Sequence, residues 1–133
     1  MGVHSISTNI RDIKAKGIVD LMIEVREDYS TAVSENLIIG WHQILFSNAQ
    51  YIKGGSYRTG TEPMVIISGS IGKEIVHYEA PPSDKIQGEM NQFINWYNSY
   101  EMHSNTIKES LIKTAIAHLY FESLHPFEDG NGC

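Results

Sequence analysis

Residues 125–132 read HPFEDGNG and follow the last helical pattern of the chain. Pro126 cannot continue a helical hydrogen-bond ladder, so this stretch predicts that the helix before it ends at His125. A histidine at a helix end can act as a general base near neutral pH. Asp129 offers the hard oxygen ligand that Mg²⁺ prefers, and Phe127 is expected to anchor the loop in the core.

The Gly-Asn-Gly run at 130–132 tolerates positive φ and lets the backbone approach a ligand closely. Consecutive amides in such a turn can form an anion-binding nest, so base, metal ligand and nest together indicate phosphoryl chemistry. A structural histidine and an ordinary turn are the plainer alternatives. An EF-hand loop needs twelve residues, and only five follow Glu128, which excludes that alternative.

Outward from this loop, helical periodicity dominates and predicts a mainly α fold. A helix is expected from Ser34, a good N-cap, and another after Ser83 or Asp84. Two further helices are expected over 9–27, with Gly17 as its weak point, and over 105–122.

One β-hairpin interrupts the helices, with β-prone runs at 64–68 and 75–78 around a Gly-Ser-Ile-Gly turn. Two strands alone are not stable, so the hairpin must lean on helices and is interpreted as a functional flap. Arg58, in the loop before it, is expected either to contact the site or to structure that loop. The predicted organisation is an N-terminal helical segment over 1–33 and a core over 34–133.

Composition narrows the classes of partner. Sixteen acidic against ten basic residues give a net charge of −6, which argues against nucleic-acid binding. No apolar run is long enough to span a membrane, and no signal peptide is recognisable, so no membrane partner and a cytoplasmic location are expected. The single cysteine, Cys133, allows no intrachain disulfide, which fits a reducing compartment.

Residues 125–132 resemble the signature HPFx[D/E]GNGR of the Fic/Doc family. The segments at 116–122, 76–82 and 57–59 also resemble the family's signature helix, its flap strand and the loop before the flap. The similarity covers roughly 34–133, and it implies a Fic-type helical core with one β-hairpin flap.

The resemblance implies transfer of AMP from ATP to a protein Ser, Thr or Tyr hydroxyl, with ATP and a target protein as partners. His125 would deprotonate the hydroxyl, and Asp129 would hold Mg²⁺. Nucleotide contacts are implied for Phe127, Glu128, Gly130, Asn131 and Gly132. Target binding by strand pairing is implied for flap residues Ile66, Ile67, Val76, His77 and Tyr78.

The sequence departs from the family pattern at Cys133, where the signature carries an arginine expected to bind the β- and γ-phosphates. Cysteine cannot supply that fork of donors. The family's following helices are also lacking, so activity is expected to be weak or absent. The last helix is expected to keep part of its apolar stripe uncovered, which favours a homo-oligomer or aggregation.

A second family pattern, the inhibitory motif [S/T]xxxE[G/N], matches Thr31, Glu35 and Asn36 in its letters. An ordinary core helix with Glu35 in its first turn is the competing interpretation. Two alternative functions also stay open at this point. One is an inactive relative that binds peptides through its flap, and the other is transfer of UMP or another phosphate-containing group.

Overall fold

The computed structural model describes residues 10–49 and 52–131, with side chains described from residue 15 onward. Within these ranges the chain is mainly helical and has one β-hairpin, which confirms the predicted fold class. The elements are α1 (Ile10–Glu27), α2 (Glu35–Leu45), β1 (Val65–Ser68), β2 (Ile75–Glu79), α3 (Ile86–Ser99) and α4 (Ile107–Leu124). Residue 9, the expected start of α1, lies outside the described residues.

The chain divides into two compact units, Met1–Ser56 and Tyr57–Cys133. The first unit contains α1 and α2, and the second contains the hairpin, α3 and α4. The loop that carries the signature (residues 125–132, called the signature loop) and the flap therefore fall in the same unit. The division into 1–33 and 34–133 stays a prediction.

In the first unit, α2 begins as the sequence predicts. Ser34 has extended backbone angles, and its hydroxyl accepts a hydrogen bond from the Leu37 N–H at 3.2 Å, which satisfies one of the free amides at the helix start. In α1, Gly17 lies against the backbone carbonyl of Leu45, so the two helices approach closely there. The glycine that looks like a weak point of α1 is its contact point with α2.

The amphipathic pattern of α1 predicts a buried apolar stripe, but several of its apolar residues are exposed. Ile18, Val19, Met22 and Ile23 are each at least half exposed. The period is helical, as predicted, but periodicity alone does not supply a neighbour for every apolar side chain.

The flap is an antiparallel hairpin whose register pairs Val65 with Glu79 and Ser68 with Ile75. The pairing shifts between Ile66 and Ile67, whose partners are Tyr78 and Val76, so His77 is the extra residue of a β-bulge. The Lys73 N–H donates to the Ser70 carbonyl at 2.8 Å and closes the turn. The sequence predicts both strands but gives no sign of the bulge.

The start of α3 corrects the predicted cap. A short 3₁₀ turn at Ser83–Lys85 precedes the helix, and neither it nor α3 has a side-chain N-cap. The Ser83 hydroxyl instead donates to the Gly60 carbonyl and accepts from the Arg58 guanidinium at 3.0 Å. Tertiary partners have displaced the local capping bond.

Helices α3 and α4 form the core that supports the signature loop. Ile86, Met90 and Phe93 are buried on one face of α3, as the predicted stripe requires. Phe93 meets the Tyr120 ring edge-on at 5.2 Å and the Phe121 ring at 5.7 Å, so aromatic packing joins the two helices.

Helix α4 starts at the N-cap Thr106, whose hydroxyl accepts from the Glu109 N–H at 3.3 Å. Its apolar stripe is largely exposed, as expected, with Leu111 at 64% and Leu119 at 69%. No helix within the described ranges is long and apolar enough to cross a membrane.

Candidate active site

The site begins where α4 ends. Leu124 is the last helical residue, and His125 adopts left-handed angles (φ 47°, ψ 58°) while its N–H still bonds the Phe121 carbonyl at 3.1 Å. Pro126 then prevents the helix from resuming, as predicted. The sequence does not show the sign of φ, since residues with a Cβ seldom adopt this conformation.

The loop after His125 is closed by one side chain. The Asn131 Oδ1 accepts from the Phe127 N–H at 2.8 Å, and the Asn131 Nδ2 donates to the Phe127 carbonyl at 2.8 Å. Asn131 itself is buried. The family resemblance implies a phosphate contact for Asn131, and nothing in the sequence indicates this bracing role.

Phe127 is the anchor that the sequence predicts, with 2% of its surface exposed. Its ring lies 5.5 Å from that of Tyr57 and 6.3 Å from that of Phe121. The loop is thus attached to the aromatic core through Phe127. Its backbone N–H and carbonyl both bond Asn131, and its implied nucleotide contact stays a prediction.

The tip of the loop carries two acidic side chains. Glu128 and Asp129 are exposed, and the Asp129 Oδ1 accepts from the Gly130 N–H at 2.6 Å. Gly130 has φ 79°, the positive value that the glycine-rich run predicts. Gly132 and Cys133 lie outside the described residues.

Arg58 is the second support of the loop, and it is buried, with 4% of its surface exposed. Its Nε donates to the His125 carbonyl at 2.6 Å, and its backbone N–H donates to the Pro126 carbonyl at 2.9 Å. Of the two roles that the sequence left open for Arg58, these bonds show the structuring one.

The flap lies beside this loop. A cavity of about 530 Å³ is bounded by flap residues including Met64 and Ile66, by Leu119 of α4, and by His125. The Tyr78 hydroxyl donates to the Ser123 carbonyl at 2.6 Å and joins β2 to the end of α4. His125 therefore borders a groove whose other wall is the hairpin.

The remaining predicted flap residues are accessible. Ile66, Ile67, Val76 and His77 are all exposed, and the His77 Nε2 lies 2.6 Å from the Ser68 hydroxyl across the hairpin. No third strand pairs with the hairpin among the residues that the structure describes, and the exposed apolar side chains suit strand pairing with another segment.

The residues of the inhibitory pattern lie in the other unit. Thr31 is in a bend before α2, Glu35 is the first residue of that helix, and Asn36 follows it. Glu35 thus lies in the first turn of α2, as expected if this segment is an ordinary core helix. The inhibitory role stays a prediction.

Comparison with known proteins assigns the family. The model of the Fic/DOC family matches residues 32–133. The chain belongs to the Fic/DOC family. The match includes α2, the flap and residues 125–133, so the resemblance extends well beyond the signature.

Relatives of this Fic chain agree. A probable protein adenylyltransferase of Aquifex aeolicus (strain VF5) is 30% identical over 118 residues, which are 89% of this chain and 32% of that protein. The chain therefore spans about a third of the length of that curated relative.

Two solved structures share the fold. A Fic-domain-containing signaling protein from Bacteroides thetaiotaomicron VPI-5482 superposes with a TM-score of 0.69 at 20% identity, covering 93% of this chain and 45% of the other. A Fic family protein from Desulfovibrio desulfuricans G20 gives a TM-score of 0.61 at 25% identity, covering 93% of this chain and 34% of the other.

Proposed function

We propose that this Fic chain carries the catalytic loop and flap of a protein adenylyltransferase, which moves AMP from ATP to a Ser, Thr or Tyr hydroxyl of a target protein. The observation that carries the proposal is the position of His125, fixed at the end of α4 and bordering the groove beside the flap. A relative named a probable protein adenylyltransferase supports the same chemistry.

The reaction asks for one proton transfer and one displacement at phosphorus. The target hydroxyl oxygen would form a bond to the α-phosphorus of ATP as the bond from that phosphorus to the α–β bridging oxygen breaks. Pyrophosphate leaves with the electron pair of the broken bond, and the imidazole of His125 receives the hydroxyl proton. The loop amides near Gly130 and Asn131, with Gly132 of the signature, would bind the phosphate oxygens, and the Gly130 N–H would exchange its present acceptor, the Asp129 Oδ1, for a phosphate oxygen.

Mg²⁺ fits the donor set if substrate phosphates complete its shell. Among the described residues, no cluster of three or more His, Cys, Asp or Glu side chains could hold a metal alone. Mg²⁺ commonly uses one or two carboxylates with phosphate oxygens and waters, and Asp129 is an exposed carboxylate at the loop tip. The ion would neutralise charge on the phosphates.

The flap would hold the target segment. Strand pairing uses backbone groups and tolerates many sequences, so it would fix the hydroxyl in the groove without demanding one target sequence. Exposed Ile66, Ile67 and Val76 would add apolar contacts to that pairing.

The test is transfer of label from α-labelled ATP to protein in the presence of Mg²⁺, with His125→Ala and His118→Ala as matched variants. His118 is an exposed histidine of α4 outside the loop, so its loss should leave transfer unchanged. Loss of His125 should lower transfer by about a thousandfold, the range for a general base.

Equal labelling by wild type and His125→Ala would contradict the role of His125. If wild type takes up no label but binds a β-strand peptide through the flap, the peptide-binding alternative replaces the proposal. Label from UTP in place of ATP would point to the other nucleotidyl transfer.

A further inference from the structure

Arg58 places a buried cation at the carboxyl end of α4. Besides the His125 carbonyl, its guanidinium donates to the Leu124 carbonyl at 3.4 Å. Free carbonyls at a helix end carry partial negative charge, so a guanidinium satisfies both their hydrogen-bonding capacity and the helix dipole. Burial lowers the pKa of Arg58 and the negative charge of Glu128 opposes that shift, but an arginine stays charged at any physiological pH.

His125 needs such support because its backbone is strained. Left-handed φ is unfavourable for a residue with a Cβ, and helix ends that turn this way usually have glycine. Among the described residues, His125 is the one non-glycine with positive φ. A bond to its carbonyl oxygen acts on the peptide plane that follows the strained residue, and so on the direction of its side chain.

The same guanidinium is tied to the base of the flap. It also donates to the Pro81 carbonyl and to the Ser83 hydroxyl, in the segment between β2 and α3. The Arg58 backbone N–H bonds the Pro126 carbonyl at 2.9 Å, so the residue holds the signature loop at two successive carbonyls. One side chain thus fixes the distance between the end of α4 and the root of the hairpin.

We propose that Arg58 is a positioning residue, which holds the left-handed backbone of His125 and sets its imidazole relative to a target hydroxyl on the flap. The proposal rests on the function proposed above. Arg58 is buried and its guanidinium is bonded to backbone carbonyls and to Ser83, so it would act through His125. It should therefore govern the rate of the transfer step and leave nucleotide binding nearly unchanged.

The test is steady-state AMP transfer by Arg58→Lys, which keeps the charge but cannot bond several carbonyls in one plane. We expect kcat to fall about a hundredfold, as for a misplaced catalytic group, and KM for ATP to change less than about threefold. Met90→Leu and Met90→Ala in the core of α3 supply controls of graded stability, since Met90 is fully buried. A Met90 variant whose thermal midpoint matches that of Arg58→Lys should keep the kcat of the wild type.

Ser83→Ala is the milder second variant, because it removes one acceptor of the guanidinium and leaves Arg58 in place. It should lower kcat by about tenfold, the equivalent of one hydrogen bond. If Arg58→Lys does not fold, Ser83→Ala decides between the outcomes. The positioning role is overturned if the variant that folds loses no more kcat than the Met90 controls lose.

A readout independent of activity separates this proposal from the proposed function. NMR of the labelled chain reports the His125 ring shifts and the exchange rate of the Phe127 amide, which is bonded to Asn131. Arg58→Lys should shift the ring signals and accelerate that exchange at least tenfold relative to the Met90 controls. This readout also decides if the wild type transfers no AMP and the proposed function fails. NMR signals of Arg58→Lys that equal those of the wild type would then overturn the positioning role. Changed signals would support it.

Discussion

The Asn131 carboxamide bonds the backbone of a single residue, Phe127, at both of its ends. Because Phe127 is buried in the aromatic core, this pair of bonds transmits the rigidity of the core to the loop tip. The backbone of the loop that would bind phosphate is thereby held in place before a ligand arrives, and such preorganisation is the main contribution a protein makes to phosphoryl transfer.

Asn131→Ala should destabilise the chain, because it leaves the buried N–H and carbonyl of Phe127 without their partner. The expected loss is about 1–3 kcal/mol in the free energy of unfolding measured by urea titration. Asn95→Ala, at an exposed position of α3, is the control and should be neutral or slightly stabilising. Equal unfolding midpoints for the two variants would show that the Asn131 bonds contribute nothing.

At this scale the sequence predicts residue chemistry better than residue geometry. His125, Phe127 and Gly130 could be given an end-of-helix position, an anchor role and a positive φ, because each property follows from the residue type and its neighbours. The Arg58 bonds to residues near 81 and 125 could not be predicted, since they join segments distant in the chain. The phosphate contacts of residues 127–132 and the metal role of Asp129 stay predictions.

At the scale of elements, two helical glycines of the first unit have opposite surroundings. A methyl group at Gly17 of α1 would overlap the Leu45 carbonyl, whereas one at Gly40 of α2 would meet nothing within 4 Å. Both look alike in the sequence, because periodicity reports which face a residue occupies and not how near the next helix lies.

Alanine at these two glycines should therefore change stability in opposite directions. Gly40→Ala should raise the free energy of unfolding by about 0.5–1 kcal/mol through helix propensity. Gly17→Ala gains the same propensity but should lower stability by about 1–3 kcal/mol, because the backbone must shift to admit the methyl group. Thermal unfolding followed by circular dichroism measures both, and a stabilising Gly17→Ala would contradict the close contact between α1 and α2.

The hairpin marks the limit of prediction for elements. Its strands and turn follow from β-prone runs and paired glycines, and they were predicted within one residue of the observed ends. The bulge at His77 lies next to Tyr78, whose hydroxyl donates to the Ser123 carbonyl, a contact with α4 that no local pattern contains. The predicted cap at Ser83 was wrong for the same kind of reason, since Arg58 and Gly60 occupy its hydroxyl.

At the scale of the whole molecule, charge and exposed apolar surface set how the chain behaves in solution. Leu111→Lys should raise the solubility limit, because Leu111 is 64% exposed on the apolar face of α4. Ser110→Lys adds the same charge at an exposed polar neighbour and serves as the control. Ultracentrifugation of concentrated samples measures the soluble fraction, and equal gains from both variants would mean that charge alone is responsible.

We attribute the proposed transfer of AMP to the loop at 125–131 and the flap beside it. The most direct measurement compares parallel reactions with ATP labelled at the α-phosphate and at the γ-phosphate, each with Mg²⁺ and the full chain. Adenylyl transfer retains the α-phosphate on protein and releases the γ-phosphate in pyrophosphate. We expect label on protein from α-labelled ATP alone, weak because Cys133 stands where the family signature carries an arginine, and lost in His125→Ala. Label from γ-labelled ATP, or none from either, would contradict the proposed transfer.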